Sequence, residues 1–342
     1  MPFEPFETVT VGRTGLTVTR LGLGGASIGG LFRPVDDATA EGVVAHAWAL
    51  GVRSFDVAPL YGYGAAERRM GRVLAAQPRD AFVLSSKVGR LVRTTDEIRP
   101  GADIDRQASA GRDDAFYADV GDRRIVFDYS AEGVRRSVLD SLERLGLERI
   151  DILYVHDPDR HWQVALTEAY PALERLRDEG VVRAIGAGMN QAEMLARFAA
   201  ETDTDVFLLA NRYTLLDQSA LDELLPRCLE RGIAVFVGGV MNSGMLVDPR
   251  PDRPFVYRDA PPEVVERALR IATVCRRHDI PVRTAAIQFP LAHPAVTGLI
   301  AGVRTIEHLD EYPAAMRQAI PAALWQELRD EGLLPPEAPT PS

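Results

Sequence analysis

Cysteine is scarce in this 342-residue sequence: Cys228 and Cys275 are the only two, far apart and inside helix-like segments. They form no CxxC pair and no metal-ligand cluster, which excludes a disulfide framework and leaves two reduced thiols. Positive charge is short as well. The 39 Lys and Arg face 49 Asp and Glu, a net charge of −10, whereas nucleic acid and anionic membrane surfaces call for clustered Lys and Arg. The arginines sit beside acids in helical segments, as in Glu143-Arg144 and Glu148-Arg149, the pattern of solvated helix faces. No apolar stretch reaches the ~18 residues of a membrane helix. The start, MPFEPFETVTVGRTG, lacks the charged-then-apolar order of a secretion signal. A soluble cytoplasmic protein with no nucleic-acid or membrane partner is expected.

What is present is regular. Short apolar runs at 21–23, 52–57, 82–87, 150–156, 182–186, 206–210, 234–237 and 298–301 read as strands. Amphipathic stretches at 38–50, 65–76, 131–145, 161–179, 191–200, 220–231, 262–278 and 306–318 read as helices between them. Gly51, Gly146, Gly180 and Gly232 follow the last periodic residue of their helices and supply the left-handed C-terminal turn. Strict strand–helix alternation implies a parallel sheet, and eight such units close into an α/β (β/α)8 TIM barrel. An open doubly wound sheet is the runner-up, but no G-x-G-x-x-G follows the first strand: Gly22-Leu23-Gly24-Gly25 runs on through Gly29-Gly30 without opening a helix. One domain over 1–334 is expected, with a Pro-rich disordered tail at 335–342. The polar stretch 90–130 is too long for an ordinary loop; it reads as an active-site lid or, over 94–112, as a disordered surface insertion.

In a parallel barrel the chemistry sits at the C-terminal strand ends. The second strand ends in Asp56, followed by Tyr61; the third ends in Lys87 and the fourth in His156. Alternation puts Ser85 with Lys87, and Tyr154 with His156, on one face of their strands. Each residue alone has an ordinary explanation: a turn cap, a surface ion pair, a core histidine, a packed ring. Together they bring an acid, a phenol, an ammonium and an imidazole to one mouth. No metal is expected, because a zinc site needs several convergent ligands and these strand ends offer one His.

FDVAPLYGYGAAE, SSKVGR and ILYVHDPD resemble the signatures of the aldo-keto reductase superfamily, over residues 8–334. The resemblance implies a (β/α)8 barrel, a nicotinamide cofactor and a small sugar or carbonyl substrate. It makes Tyr61 the acid/base, Lys87 and Asp56 its supporting pair, and His156 the group that positions the substrate oxygen. The chemistry suits those residue types. Hydride transfer builds or removes charge on an oxygen, so a proton donor must stand within hydrogen-bond reach. A free phenol titrates near ~10, and a neighbouring ammonium favours its phenolate.

The same resemblance assigns the cofactor. Gly25, Asp56 and Asn190 are expected to contact it, with Met189 where the family usually has a hydroxyl and Ala210 where a Gln is common; Asn211 is left open as a substitute. Gly238, Gly239, Val240, Met241, Asn242 and Gly244 form a glycine-rich loop suited to a pyrophosphate. Gly302, Arg304, Thr305, His308 and Glu311 fall at the adenine end. Only Arg304 remains of the basic cluster that would grip a 2′-phosphate, so NAD is expected over NADP. GGVMNSGML, RTGLTVTRLGLGGASIGGLF, VFDYS, HDPD and IPAALWQELRDEGLLP resemble the sugar-dehydrogenase branch, the D-threo-aldose 1-dehydrogenases and their L-fucose and L-galactose relatives. Oxidation of an aldose at its anomeric carbon is thus expected, with Asp128 and Tyr129 as candidate contacts to sugar hydroxyls. Two alternatives stay open: a pyridoxal 4-dehydrogenase or general aldehyde/ketone reductase, and a cofactor-binding regulatory subunit like the potassium-channel β-subunits.

Overall fold

Eight parallel strands close a barrel in the computed structural model, which describes residues 2–105, 116–117, 120–255 and 258–342. They are β1 (Leu21–Gly24), β2 (Ser54–Asp56), β3 (Val83–Val88), β4 (Ile152–His156), β5 (Ala184–Met189), β6 (Val206–Ala210), β7 (Ala234–Gly238) and β8 (Val296–Ala301). Each pairs with the next, and β8 returns to β1 through Leu299–Leu21 and Ala301–Leu23. All eight apolar runs read from the sequence fall on these strands. Apolar runs recur because a parallel strand is covered on both faces, by barrel interior and by helix.

The helices α1 (Asp37–Leu50), α2 (Ala65–Leu74) and α3 (Ala131–Leu145) follow β1, β2 and β3. Local chemistry sets their limits. The Asp36 carboxylate accepts from Thr39 N at 2.8 Å at the start of α1, and Gly51 closes it with φ 107°. Ser130 caps α3 by accepting from Gly133 N. The expected helix 161–179 is interrupted by a π-helical turn at Ala165–Ala169. Among the described residues, no helix is long and apolar enough to cross a membrane.

Four features depart from the sequence reading. A hairpin, Thr8–Thr10 with Thr17–Thr19, precedes β1 and plugs the bottom of the barrel. Its Val11, Leu16 and Val18 share one buried cluster with the interior residues Val83, Ile152, Tyr154, Leu208 and Phe236. Two further helices, Val282–Leu291 and Ala322–Asp330, complete the outer layer. The tail at 335–342 is not loose chain: Ala338 is buried, and Arg329 donates to Ala338 O and Thr340 Oγ1, both at 3.0 Å. Proline-rich composition misleads there because a few anchoring contacts from a neighbouring helix suffice to fix so short a segment. The insertion after β3 is built on an antiparallel hairpin, Arg90–Thr94 with Arg123–Phe127. Residues 94–105, expected as part of a disordered stretch, carry a Thr94–Glu97 capping box and an Ile104–Val126 bridge; residues 106–112 of that stretch lie outside the described residues.

Candidate active site

Strand register decides which side chains meet at the barrel mouth. Asp56 is opposite Ser85, Lys87 opposite Tyr154, and His156 opposite Gly188. Gly188 borders the lysine stem: a Cβ there would lie 3.4 Å from Lys87 Cε, in contact with it. Lys87 threads the centre of the barrel, 2% exposed, and reaches Asp56 on the neighbouring strand. Its Nζ donates to Asp56 Oδ2 at 2.7 Å, Asp56 Oδ1 at 2.9 Å and Val57 O at 3.1 Å. Three acceptors match the three protons of an ammonium. Ser85 Oγ donates to Asp56 Oδ1 at 2.7 Å, so the carboxylate is held from two sides.

Tyr61 lies in the turn after β2, over this pair. Lys87 Nζ is 4.6 Å from its ring centroid, and the His156 ring stands edge-on to it at 5.8 Å and 89°. The structure thus brings together all four residues expected from the sequence. Burial pulls the Lys87 ammonium below its ordinary pKa, against the opposing pull of Asp56. Burial holds His156 well below the usual imidazole range, and the charges of Arg90 and Lys87 push the same way. The imidazole is neutral at pH 7, and its Nδ1 is buried with no protein partner. A buried polar atom without a partner fits a place where a ligand oxygen belongs.

Asp157, not singled out from the sequence, follows His156 with φ 41°. A non-glycine residue there is strained by about 1 kcal/mol or more, and several bonds hold it. Asp157 Oδ1 accepts from Asn190 N at 3.3 Å and from Asn190 Nδ2 at 3.5 Å. Asn190 Oδ1 accepts from Asn211 Nδ2 at 2.9 Å, and Asn242 Nδ2 donates to Asn211 O at 3.2 Å. The ends of β4 to β7 are thereby laced by one carboxylate and three amides. Asn211 and Asn242 are also left-handed, at φ 64° and 48°, a conformation Asn tolerates better than most residues. Asn242 Oδ1 is buried and unpartnered. Gly239 (φ 67°) lets the loop lie against Asn211, where a Cβ would stand 2.4 Å from Asn211 Oδ1. Together Gly238, Gly239, Val240, Met241, Asn242 and Gly244 make a tight backbone cradle beside free amide valence, and these residues fit a nicotinamide dinucleotide.

The adenine-end residues gather after β8. Gly302 and Arg304 follow the strand, and Thr305 caps the helix Ile306–Arg317 by accepting from His308 N at 3.3 Å. Arg304 donates to Leu31 O, with Arg33 close enough to disfavour its charge. His308 and Glu311 are exposed on the helix, and Glu311 pairs with Arg283. Gly25 N donates to Asp56 O at 2.7 Å, and the Asp56 carboxylate is engaged by Lys87 and Ser85, so both stand at the catalytic pair. Two sugar-contact assignments need correction. Asp128 accepts from Ser130 N and Oγ at the start of α3. Tyr129 is buried, donating to His156 O at 2.5 Å and Asp157 O at 3.1 Å. The last two face the protein, because a side chain next to a helix cap or under a strand end is spent on backbone. Instead, Tyr117 of the insertion lies over Tyr61, rings 6.3 Å apart, and Phe116 meets Phe32 edge-on at 6.2 Å.

Fold and site together define a nicotinamide-dependent oxidoreductase barrel, and the comparisons agree. The aldo/keto reductase family profile matches residues 20–330. D-threo-aldose 1-dehydrogenase from Pseudomonas sp is 43% identical, with 94% of this chain and 96% of that protein covered. Pyridoxal 4-dehydrogenase from Microbacterium luteolum is 42% identical over 98% of this chain and 100% of its own. Among solved structures, the holo form of an aldo-keto reductase from Bacillus halodurans superposes with a TM-score of 0.73 at 22% identity, covering 95% of this chain and 96% of its own; it shows the shared fold. The chain belongs to the aldo/keto reductase family.

Proposed function

We propose that the chain oxidises a cyclic hemiacetal, an aldose at its anomeric carbon, to a lactone, with NAD taking the hydride. The observation that carries the reading is the buried Asp56–Lys87 pair beneath Tyr61, with His156 edge-on to the same ring. Similarity to D-threo-aldose 1-dehydrogenase supports the aldose. The nicotinamide supplies the hydride acceptor. Tyr61, as phenolate, takes the proton of the anomeric hydroxyl while the C1–H bond breaks with its electron pair, and C1–O becomes a carbonyl. The ring oxygen stabilises charge developing at C1. Lys87 contributes positive potential beside the phenol, and Asp56 keeps that lysine charged and in place. Neutral His156 hydrogen-bonds the reacting oxygen and fixes its direction. Lactone, NADH and one proton result. Incubating L-fucose, L-galactose or D-arabinose with NAD is expected to give the lactone, identified by NMR.

A second reading, oxidation of pyridoxal, is favoured by the aromatic wall of Phe32, Phe116 and Tyr117 at the mouth and by the relative of that name. Pyridoxal closes on its own hydroxymethyl group to an internal hemiacetal, so the chemistry is unchanged; a flat ring suits aromatic walls better than a polyhydroxylated one. Efficient pyridoxal turnover without oxidation of any aldose selects this reading.

For the cofactor, preference for NAD is supported by Arg304 being engaged with Leu31 O and by the acids Asp310 and Glu311 on the adjoining helix. A phosphate placed there competes with that carbonyl for Arg304 and meets two acids on the helix. Fluorescence titration is expected to show NAD binding at least as tightly as NADP. Clearly tighter NADP binding overturns this, and points to Arg304 with Arg33 beside it.

A further inference from the structure

The insertion after β3 does more than cover the mouth. Its first residue, Arg90, lies beneath the site with its side chain 12% exposed and its guanidinium carbon 5.1 Å from the Phe127 ring centroid. Arg90 NH1 donates to Asp105 Oδ2 at 2.8 Å, NH2 donates to Asp157 Oδ2 at 3.4 Å, and Nε donates to His156 O at 3.5 Å. Asp157 Oδ2 also lies 3.6 Å from His156 Nε2, so the carboxylate oxygen bonded to the guanidinium borders the imidazole. The other oxygen holds Asn190. Tyr129, at the other end of the insertion, donates to the same His156 carbonyl. Asp105 is itself buried within the insertion. These groups converge on the peptide and ring of His156 and on the amide of Asn190.

We propose that Arg90, seated by Asp105, is a positioning residue that fixes His156 for the substrate oxygen and Asn190 for the cofactor, so that the inserted hairpin is a working part of the site. The inference rests on the dehydrogenase reading above. Rigid seating of a donor next to a residue in the left-handed region is a task for a planar, permanently charged fork. The charged groups facing His156 are Arg90, Lys87 and Asp157, with Asp159 acting on Asp157. Removing the guanidinium therefore takes away a cation that disfavours protonation of the imidazole, while leaving Lys87.

The test compares Arg90→Met, Arg90→Lys and Asp105→Asn in the full chain. Arg90→Met is expected to lower kcat about 10–100-fold, the usual effect of losing a group that orients a reacting-site ligand, with KM for substrate changed less. Its His156 imidazole, assigned in NMR spectra by comparison with His156→Gln, is expected to titrate at higher pH than in the wild type. Arg90→Lys retains the charge and is expected to keep the wild-type imidazole titration while recovering part of kcat. Should Arg90→Met not fold, Arg90→Lys and Asp105→Asn carry the test, each expected to lose kcat about tenfold with KM for substrate changed less. Native kcat in the variants, or a rate loss that only tracks a fallen Tm while the His156 titration stays put, overturns the proposal. A wild type that turns over no hemiacetal or aldehyde defeats the dehydrogenase reading instead, and the imidazole titration still reads the Arg90 coupling.

Discussion

Tyr61→Phe is expected to lower kcat by roughly 10²–10⁴, the usual range for a lost general acid/base, with the dissociation constant for NAD nearly unchanged. The substitution removes one oxygen and keeps the ring that packs against His156 and Tyr117, so the site's shape survives. Asp56 and Lys87 keep all their contacts to one another, to Ser85 and to Val57. The loss should therefore appear in the hydride-transfer step and not in Tm. Single-turnover absorbance at the reduced nicotinamide band separates that step from product release. Near-native turnover in this variant removes Tyr61 from the acid/base role and with it the chemistry proposed for the tetrad.

Much of this was legible in the sequence, for definite physical reasons. Strand–helix alternation has a strong signal because a parallel barrel strand is buried on both faces, so β6 and β7 appear as unbroken apolar runs. The catalytic cluster is legible because strand ends fall at predictable places relative to those runs, as with Lys87 and His156. A further signal was available in composition: Lys87 is the sole lysine of the chain, every other basic residue being one of 38 arginines. An ammonium retained at one position only, on a strand, marks a place where a compact point charge does what a guanidinium cannot. What stayed hidden depends on non-local contacts. The plug hairpin at 8–19 is short and polar, and its four apolar residues acquire meaning only against the barrel floor. Asp128 and Tyr129 looked like mouth residues because they precede a helix on the right side of the barrel, but helix capping and the His156 carbonyl claim them. Arg90 is invisible as a site residue until Asp105, 15 positions away, and Asp157, 67 positions away, are seen on the same guanidinium.

Lys87→Met is expected to abolish measurable turnover and to destabilise the fold by about 3–5 kcal/mol, the cost of stranding one partner of a buried pair. Asp56 would remain 2% exposed with Ser85 Oγ as its side-chain donor, too little to replace an ammonium bonded at 2.7 and 2.9 Å. The variant's carboxylate is then buried without its compensating charge. Removing both charges separates the two roles of the pair. Asp56→Asn with Lys87→Met leaves no uncompensated charge and is expected to recover much of the lost stability, read from urea midpoints. It is expected to recover none of the rate, because the positive potential beside Tyr61 is gone in both. Stability and activity moving back together in the double variant would mean that Lys87 acts only as a structural strut; stability returning alone assigns its charge to the phenol.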